Sequence, residues 1–229
     1  MSKAPAKRSG HARLKAALVL RDALADEVGL TLPPAMAQLR NVKENCGAAG
    51  GLAEGRYLEA LASLCRGDGS VLSALDAQIR QACAQVRFAP RYAQYLALIL
   101  FAHWVVAQLE DPEAFLARLN AWLAGHPPKG ESVSAFGSAD LQLAAFWMAT
   151  AAGKTHLLHA TLALLERRRP WGRVLVVTPS EALTRQHAER LRRLAVWEVF
   201  AIVTATARTS GMCGCRRPGT PPAPPSNRP

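Results

Sequence analysis

The segment 148–155 reads Met-Ala-Thr-Ala-Ala-Gly-Lys-Thr, between an apolar stretch and a helical one. Such a loop can bind phosphate. Gly153 lets the backbone turn close to an anion, so that successive N–H groups point at it, and the start of the next helix adds positive potential. Lys154 can reach the β- and γ-phosphates of a nucleoside triphosphate, and Thr155 can hold Mg²⁺. The residues predicted to bind the nucleotide are Thr150, Ala151, Ala152, Gly153, Lys154 and Thr155, with Thr155 as the metal ligand.

The sequence around this loop predicts alternating strands and helices. Residues 141–148 are mostly apolar and predict a buried strand, and residues 154–167 carry leucines at helical spacing. Residues 173–178 then form a β-branched run before Pro179, and residues 181–194 are again helical. This order predicts a parallel sheet with right-handed crossovers.

Together, segments 146–155 and 176–183 resemble motifs I and Ia of superfamily-2 helicases. The likeness is closest to the DEAD/DEAH-type first domain, which is shared with the translocating subunits of type III restriction enzymes and the N-terminal region of UvrB. It covers about residues 140–195 and implies an ATP-dependent DNA or RNA helicase, or a restriction-type translocase, that binds ATP and Mg²⁺. It also implies that Thr178 and Pro179 contact the backbone of one nucleic-acid strand. A nuclease or methylase partner is implied for full-length members.

Two departures from the family's pattern limit what the chain can do. The family usually has glycine where Ala151 stands, and if a positive φ is needed there, alanine costs about 1 kcal/mol or more. Hydrolysis also needs an acidic pair after a later strand, to hold Mg²⁺ and orient water. The sequence has no aspartate after Asp140 and no second recombinase-like domain. We therefore expect no ATP turnover from this polypeptide alone.

The composition changes from Thr204 onward, and a proline-rich stretch follows. Prolines at this density forbid helix and interior strand alike. Our hypothesis is that the reading frame was lost between about residues 195 and 210, which would leave a truncated family member with a foreign tail. The alternative is a natural disordered tail.

The expected fold class is α/β: a partial P-loop NTPase (RecA-like) parallel sheet, preceded by an all-helical N-terminal block. Besides a first helix that Gly29 ends, helices are predicted at 34–44, 54–64, 70–85, 92–109 and 112–123. The predicted organisation is a disordered basic tail at 1–10, a helical domain at 11–125, a linker at 126–139, a truncated P-loop helicase domain at 140–204 and a disordered proline-rich tail at 205–229.

The net charge of +11 suits a polyanionic partner. The predicted partner is nucleic acid, with DNA favoured over RNA, and Arg185 is a candidate contact beside Thr178 and Pro179. The opposing interpretation is that the arginines near the end of the βα unit are only solvent-exposed side chains at helix ends and bind no nucleic acid. The arginines that crowd the end of the βα unit are Arg167, Arg168, Arg169, Arg173, Arg185, Arg190, Arg192 and Arg193.

The sequence gives no sign of a membrane span or of a cysteine–histidine metal centre. The most apolar stretch, 95–107, is interpreted as a buried helix too short to span a bilayer, and the N-terminus does not read as a signal peptide, so the cytoplasm is expected. Five cysteines form no even framework, and none pairs with histidine at metal-ligand spacing.

Three interpretations therefore compete. The favoured one is an N-terminal fragment of an ATP-dependent helicase or translocase. The alternatives are a non-catalytic basic nucleic-acid-binding module and another P-loop enzyme such as a small kinase, against which the missing acidic base also argues.

Overall fold

The computed structural model describes residues 18–42, 51–53, 55–67, 69–128, 132–146, 148, 152–168, 173–194, 197–203 and 211–216. Within these ranges seven α-helices come first, and three strands follow with one more helix between the first and the second strand. In chain order the elements are α1 (Val19–Glu27), α2 (Leu32–Arg40), α3 (Arg56–Ala62), α4 (Ser70–Gln85), α5 (Tyr92–Glu110), α6 (Pro112–Gly125), a 3-10 turn (Asp140–Gln142), α7 (Lys154–Arg168), β1 (Arg173–Thr178), α8 (Glu181–Leu194), β2 (Glu198–Val203) and β3 (Gly211–Arg216).

The central element of the helical part is α5, which packs against α1, α2, α4, α6 and α7. Its residues are apolar on all sides, as expected of a helix surrounded by others. By length and composition Tyr92–Glu110 could also cross a membrane, although more than half of it is buried inside the protein. The prediction that this stretch is too short to span was wrong, because the helix extends beyond 95–107 at both ends. The prediction of a buried helix is confirmed.

Helix α7, which carries the Gly-Lys-Thr sequence at its start, lies on the helical part of the chain. It packs against α4 and α5, and it buries Leu157, Ala160, Ala163 and Leu164. These side chains belong to a hydrophobic cluster that extends from α1 as far as Trp197. The phosphate-loop segment is therefore anchored to α4 and α5 through a shared core.

The strands form a three-stranded antiparallel sheet in the order β1–β3–β2. Val176 of β1 and Ala201 of β2 both lie opposite Cys213 of β3. The predicted RecA-like parallel sheet is therefore wrong for the described strands. β1 and β2 run in the same direction, as the α8 crossover requires, but Gly211–Arg216 lies between them and hydrogen-bonds to both. From the sequence, these residues are assigned to the predicted proline-rich tail at 205–229.

The predicted strand at 141–148 is not observed. Asp140–Gln142 form a 3-10 turn and residues 143–146 are irregular, with Leu143 69% exposed. A strand needs a partner, and the described pairing of β1 is with β3 alone. The Phe146 ring instead packs on the Phe101 ring of α5, with centroids 5.4 Å apart. An irregular segment held on α5 therefore leads into the loop.

Candidate phosphate-binding site

The loop ends at Gly153, whose φ is +75°, and α7 begins at the next residue. This φ lies in the left-handed region that glycine adopts readily. The Gly153 carbonyl accepts hydrogen bonds from the N–H groups of His156 at 3.1 Å and Leu157 at 3.2 Å. The N–H groups of Lys154 and Thr155 come before these in the first turn, so the helix supplies them with no acceptor. Thr150 and Ala151 lie outside the described residues.

The Lys154 side chain is exposed and spans the loop. Its Nζ atom lies 3.3 Å from the carbonyl oxygen of Met148. No carboxylate among the described residues forms an ion pair with it. A single long bond to a neutral carbonyl leaves this cation able to exchange its partner for an anion.

Thr155 follows in the first turn of α7 and is half-buried. Its hydroxyl is the oxygen donor that the sequence assigns to Mg²⁺. Thr155 and Lys154 therefore both start the helix behind a left-handed glycine, an arrangement compatible with a triphosphate and Mg²⁺. No described residue from 132 to 152 forms the strand that usually precedes such a loop, so the structure agrees with a phosphate-binding loop only from Ala152 onward.

The loop is also held from α5, by a residue that sequence reasoning missed. The Gln94 side chain is buried, donates from Nε2 to the carbonyl of Ala152 at 2.7 Å, and accepts at Oε1 from the N–H of Arg91 at 2.7 Å. Its place in the first turn of α5 predicts a helix cap. Nothing local predicts a contact with a residue 58 positions away.

Behind the loop, α7 and α8 are joined by two buried histidines. His159 Nε2 lies 3.1 Å from His187 Nδ1, the rings meet edge to face, and His159 Nδ1 has no hydrogen-bond partner among the described residues. Burial, with His187, Arg190 and His156 nearby, lowers the pKa of His159 to about 3. Burial also lowers the pKa of His187. Both rings are therefore neutral at physiological pH.

This histidine pair is not accompanied by further metal ligands. The described part of the chain contains no group of three or more His, Cys, Asp or Glu side chains that could hold a metal ion. The pair is best explained as a polar contact between two helices.

The residues predicted to contact nucleic acid lie at the end of β1 and on α8. Thr178 is buried; its hydroxyl donates to the carbonyl of Ser180 at 2.9 Å and lies 2.7 Å from the Thr184 hydroxyl. Pro179 is exposed, and Arg185 is exposed but forms an ion pair with Glu181 at 2.5 Å. Among the described contacts, none joins these residues to Lys154 or Thr155.

The arginines near the end of α7 have neutral partners. The Arg168 guanidinium donates to Gln78 Oε1 at 2.9 Å, and Arg167 donates to Gln81 Oε1. Gln78 is itself oriented, because its Nε2 donates to the carbonyl of Ala74 at 3.1 Å. Both arginines are exposed. The glutamine partners therefore hold the two guanidinium groups in place without neutralising their charges. Arg185 differs, because its partner Glu181 carries the opposite charge.

Residues 113–209 match the family model of the type III restriction enzyme, res subunit. That interval includes the loop, α7, β1, α8 and β2, and it is less than half of the chain. The family is one of ATP-dependent helicases or restriction-type translocases, which use ATP and Mg²⁺. Members of that family are associated with nucleic acid and a modification subunit. No curated protein and no solved structure matches the chain.

Proposed function

We propose that this chain is an ATP-binding segment of a helicase or restriction-type translocase, with the triphosphate held at the start of α7. The main observation behind the proposal is that a left-handed Gly153 comes directly before Lys154, which is exposed and forms no ion pair with a carboxylate of the described residues. Both residues lie inside the interval that matches the res-subunit family. Family similarity and local geometry therefore support the same few residues.

Each of these residues has a separate role in the proposal. Lys154 leaves the Met148 carbonyl and binds the β- and γ-phosphates, which as charged acceptors outcompete a neutral carbonyl. The N–H groups of Gly153, Lys154 and Thr155 donate to phosphate oxygens, and the Thr155 hydroxyl completes a Mg²⁺ site. When bound, Mg²⁺ neutralises charge on the β- and γ-phosphates.

The same proposal places nucleic acid at the end of β1. Exposed Pro179 and Arg185 are the surface contacts, whereas buried Thr178 holds the start of α8 through its bonds to Ser180 and Thr184. The Arg185–Glu181 ion pair is solvent-exposed, and such pairs contribute only about 0–1 kcal/mol. A nucleic-acid phosphate can therefore displace Glu181 at little cost.

The test is a calorimetric titration of the full chain with ATP and Mg²⁺. We expect Lys154→Ala to weaken binding at least about tenfold, as the loss of a charge-assisted phosphate contact should. Arg192→Ala is the matched control, because Arg192 is also an exposed cation but lies on α8. A wild-type chain that does not bind ATP, or a Lys154→Ala chain that binds as well as wild type, would refute the proposal.

A second candidate function is nucleotide-independent binding of nucleic acid through Arg167 and Arg168. The observation that favours it is their attachment to the neutral side chains of Gln81 and Gln78, which orders the guanidinium groups without cancelling their charge. Fluorescence anisotropy of labelled duplex DNA across a salt series would test it, with no nucleotide present. Replacing both arginines with glutamine should reduce the slope of log K against log salt by about 2.

The control for that experiment is Arg185→Gln combined with Arg193→Gln, since both of these arginines are in ion pairs on α8. If the α8 substitutions flatten the slope and the α7 substitutions do not, the contact lies where the first proposal places it. If neither pair changes the slope, neither surface binds DNA.

A further inference from the structure

The side-chain amide of Gln94 lies directly against the phosphate loop. Gln94 is 6% exposed, so its amide is almost completely shielded from water. Its Nε2 atom donates to the Ala152 carbonyl at 2.7 Å and lies closer than van der Waals contact to the position that a Cβ on Gly153 would take. The amide therefore occupies the space beside Gly153 that any other residue's side chain would need.

The orientation of this amide follows from its other bond. The Arg91 N–H, at the start of α5, needs an acceptor, and Gln94 Oε1 provides it at 2.7 Å. An amide group has its acceptor on one side and its donors on the other. With Oε1 facing Arg91, the NH₂ group must face the Ala152 carbonyl. The start of α5 thus fixes the donor that holds the loop.

Holding the Ala152 carbonyl also fixes the next N–H group. The peptide bond is planar and trans, so the carbonyl of Ala152 and the N–H of Gly153 point in opposite directions. With the carbonyl directed at Gln94, the Gly153 N–H is directed away from the α5 side chain. That N–H is one of the donors assigned to the triphosphate.

We propose that Gln94 is a positioning residue for the phosphate loop: it locks the Ala152–Gly153 peptide so that the Gly153 N–H faces the phosphate, and so links nucleotide binding to α5. This inference rests on the proposed function. Gln94 itself touches no phosphate; it acts through the peptide that it holds. Loss of the Gln94 amide leaves the Ala152–Gly153 peptide free to rotate, so the Gly153 N–H is no longer preorganised to bind an anion.

The test compares Gln94→Met with Asn120→Leu. Asn120 is a matched control because its amide also clamps backbone from a helix: Nδ2 donates to the Phe136 carbonyl at 3.0 Å, and Oδ1 accepts from the Phe136 N–H at 2.7 Å. Titration of each full chain with ATP and Mg²⁺ is combined with thermal unfolding. We expect both variants to lose thermal stability, but only Gln94→Met to bind ATP about tenfold more weakly.

Equal ATP affinity in Gln94→Met and wild type would overturn the inference, and so would an equal loss in Asn120→Leu. A wild-type chain that binds no ATP would instead refute the proposed function. In that case the contact of Gln94 with the loop is tested without nucleotide. The test is a double-mutant cycle that combines Gln94→Ala with Gly153→Ala and compares the urea midpoints of unfolding. The methyl group that Gly153→Ala introduces meets the Gln94 amide in the wild-type background and empty space in the Gln94→Ala background. Gly153→Ala should therefore shift the midpoint less in the second background, and equal shifts would overturn the inference.

Discussion

At the scale of single residues, the buried pair His159 and His187 makes the contact between α7 and α8 sensitive to acid. Burial, the facing ring of His187 and the nearby Arg190 and His156 lower the pKa of His159 to about 3. The unfolded chain takes up these protons near the ordinary histidine pKa of about 6.5, whereas the folded chain resists them. The free energy of unfolding therefore falls as the pH drops from about 6.5 toward 3.

The measurement is the urea midpoint at about pH 7.5 and about pH 5 for wild type and for His159→Leu. We expect the midpoint of wild type to fall more than that of the variant, because leucine has no proton to take up. Thr161 is also buried on α7 but has no ionisable group, so Thr161→Val is the control and should keep the wild-type pH dependence. Identical pH dependence in His159→Leu and wild type would contradict this account.

The contact of Gln94 with the loop differs from the Gly-Lys-Thr pattern in that no local sequence signal predicts it. The Gly-Lys-Thr pattern predicts a glycine turn and a helix start, and both are local: Gly153 has a φ of +75° and α7 begins at Lys154. The role of these residues toward phosphate stays a prediction. The Gln94 contact joins positions 58 residues apart, so it can be identified only from the folded structure.

At the scale of elements, helices were predicted better than strands. The predicted helix 70–85 coincides with α4, and 92–109 nearly coincides with α5, because periodic apolar residues and caps act within the segment. The strand predicted at 141–148 failed because a strand also needs a partner elsewhere in the chain. For the same reason β3 was missed, since Gly211–Arg216 is short and contains two glycines, and its neighbours alone decide its pairing.

The start of α6 offers an element-scale prediction. Asp111 is the N-cap: its Oδ1 accepts from the N–H of Ala114 at 2.9 Å, and Pro112 is the first helical residue. Asp111→Ala should lower the free energy of unfolding by about 1 kcal/mol, as loss of an N-cap does. Urea unfolding measures this, with Glu113→Ala as an exposed control in the same turn. A control that loses as much as Asp111→Ala would show that the cap is not the cause.

A second element-scale prediction concerns Glu27, which joins three helices. From α1 it binds His103 of α5 at 2.7 Å and Arg118 of α6 at 3.0 Å. Burial acts to raise the pKa of Glu27, but the bonds from His103 and Arg118 outweigh it and bring the pKa below its usual value. The contribution of Glu27 to the free energy of unfolding is therefore fully present above the ordinary glutamate pKa of 4.5 and is lost as the pH falls through the lower pKa of the folded state.

Glu27→Gln should lower the free energy of unfolding by about 1.5–3 kcal/mol at neutral pH, the range for hydrogen bonds to charged groups. The difference from wild type should shrink in urea titrations below about pH 4. A difference that does not change with pH would mean that the charge of Glu27 plays no part.

At the scale of the whole molecule, the small sheet has one covered face and one open face along β1. Val176 and Thr178 are buried, whereas Leu175 is 61% and Val177 63% exposed. Exposed apolar side chains on a strand favour association between copies. We expect Leu175→Thr with Val177→Thr to raise the concentration at which light scattering detects aggregates, at nearly unchanged thermal stability. A matched change at exposed Val71 on α4 should have a smaller effect.

For the molecule as a whole, we predict that this polypeptide binds ATP without hydrolysing it. Phosphoryl transfer to water needs acidic groups that hold Mg²⁺ and orient the nucleophile. No aspartate follows position 140 in the sequence, and the later glutamates lie within helices (Glu166, Glu181 and Glu189) or at the start of a strand (Glu198) rather than after one. The described sheet is also antiparallel, so no parallel strand end next to the loop supplies such a group. Phosphate release with ATP, Mg²⁺ and duplex DNA should equal that of a Lys154→Ala chain prepared in the same way. DNA-stimulated release that Lys154→Ala abolishes would refute this prediction and would mean that an acidic group outside the described residues completes the site.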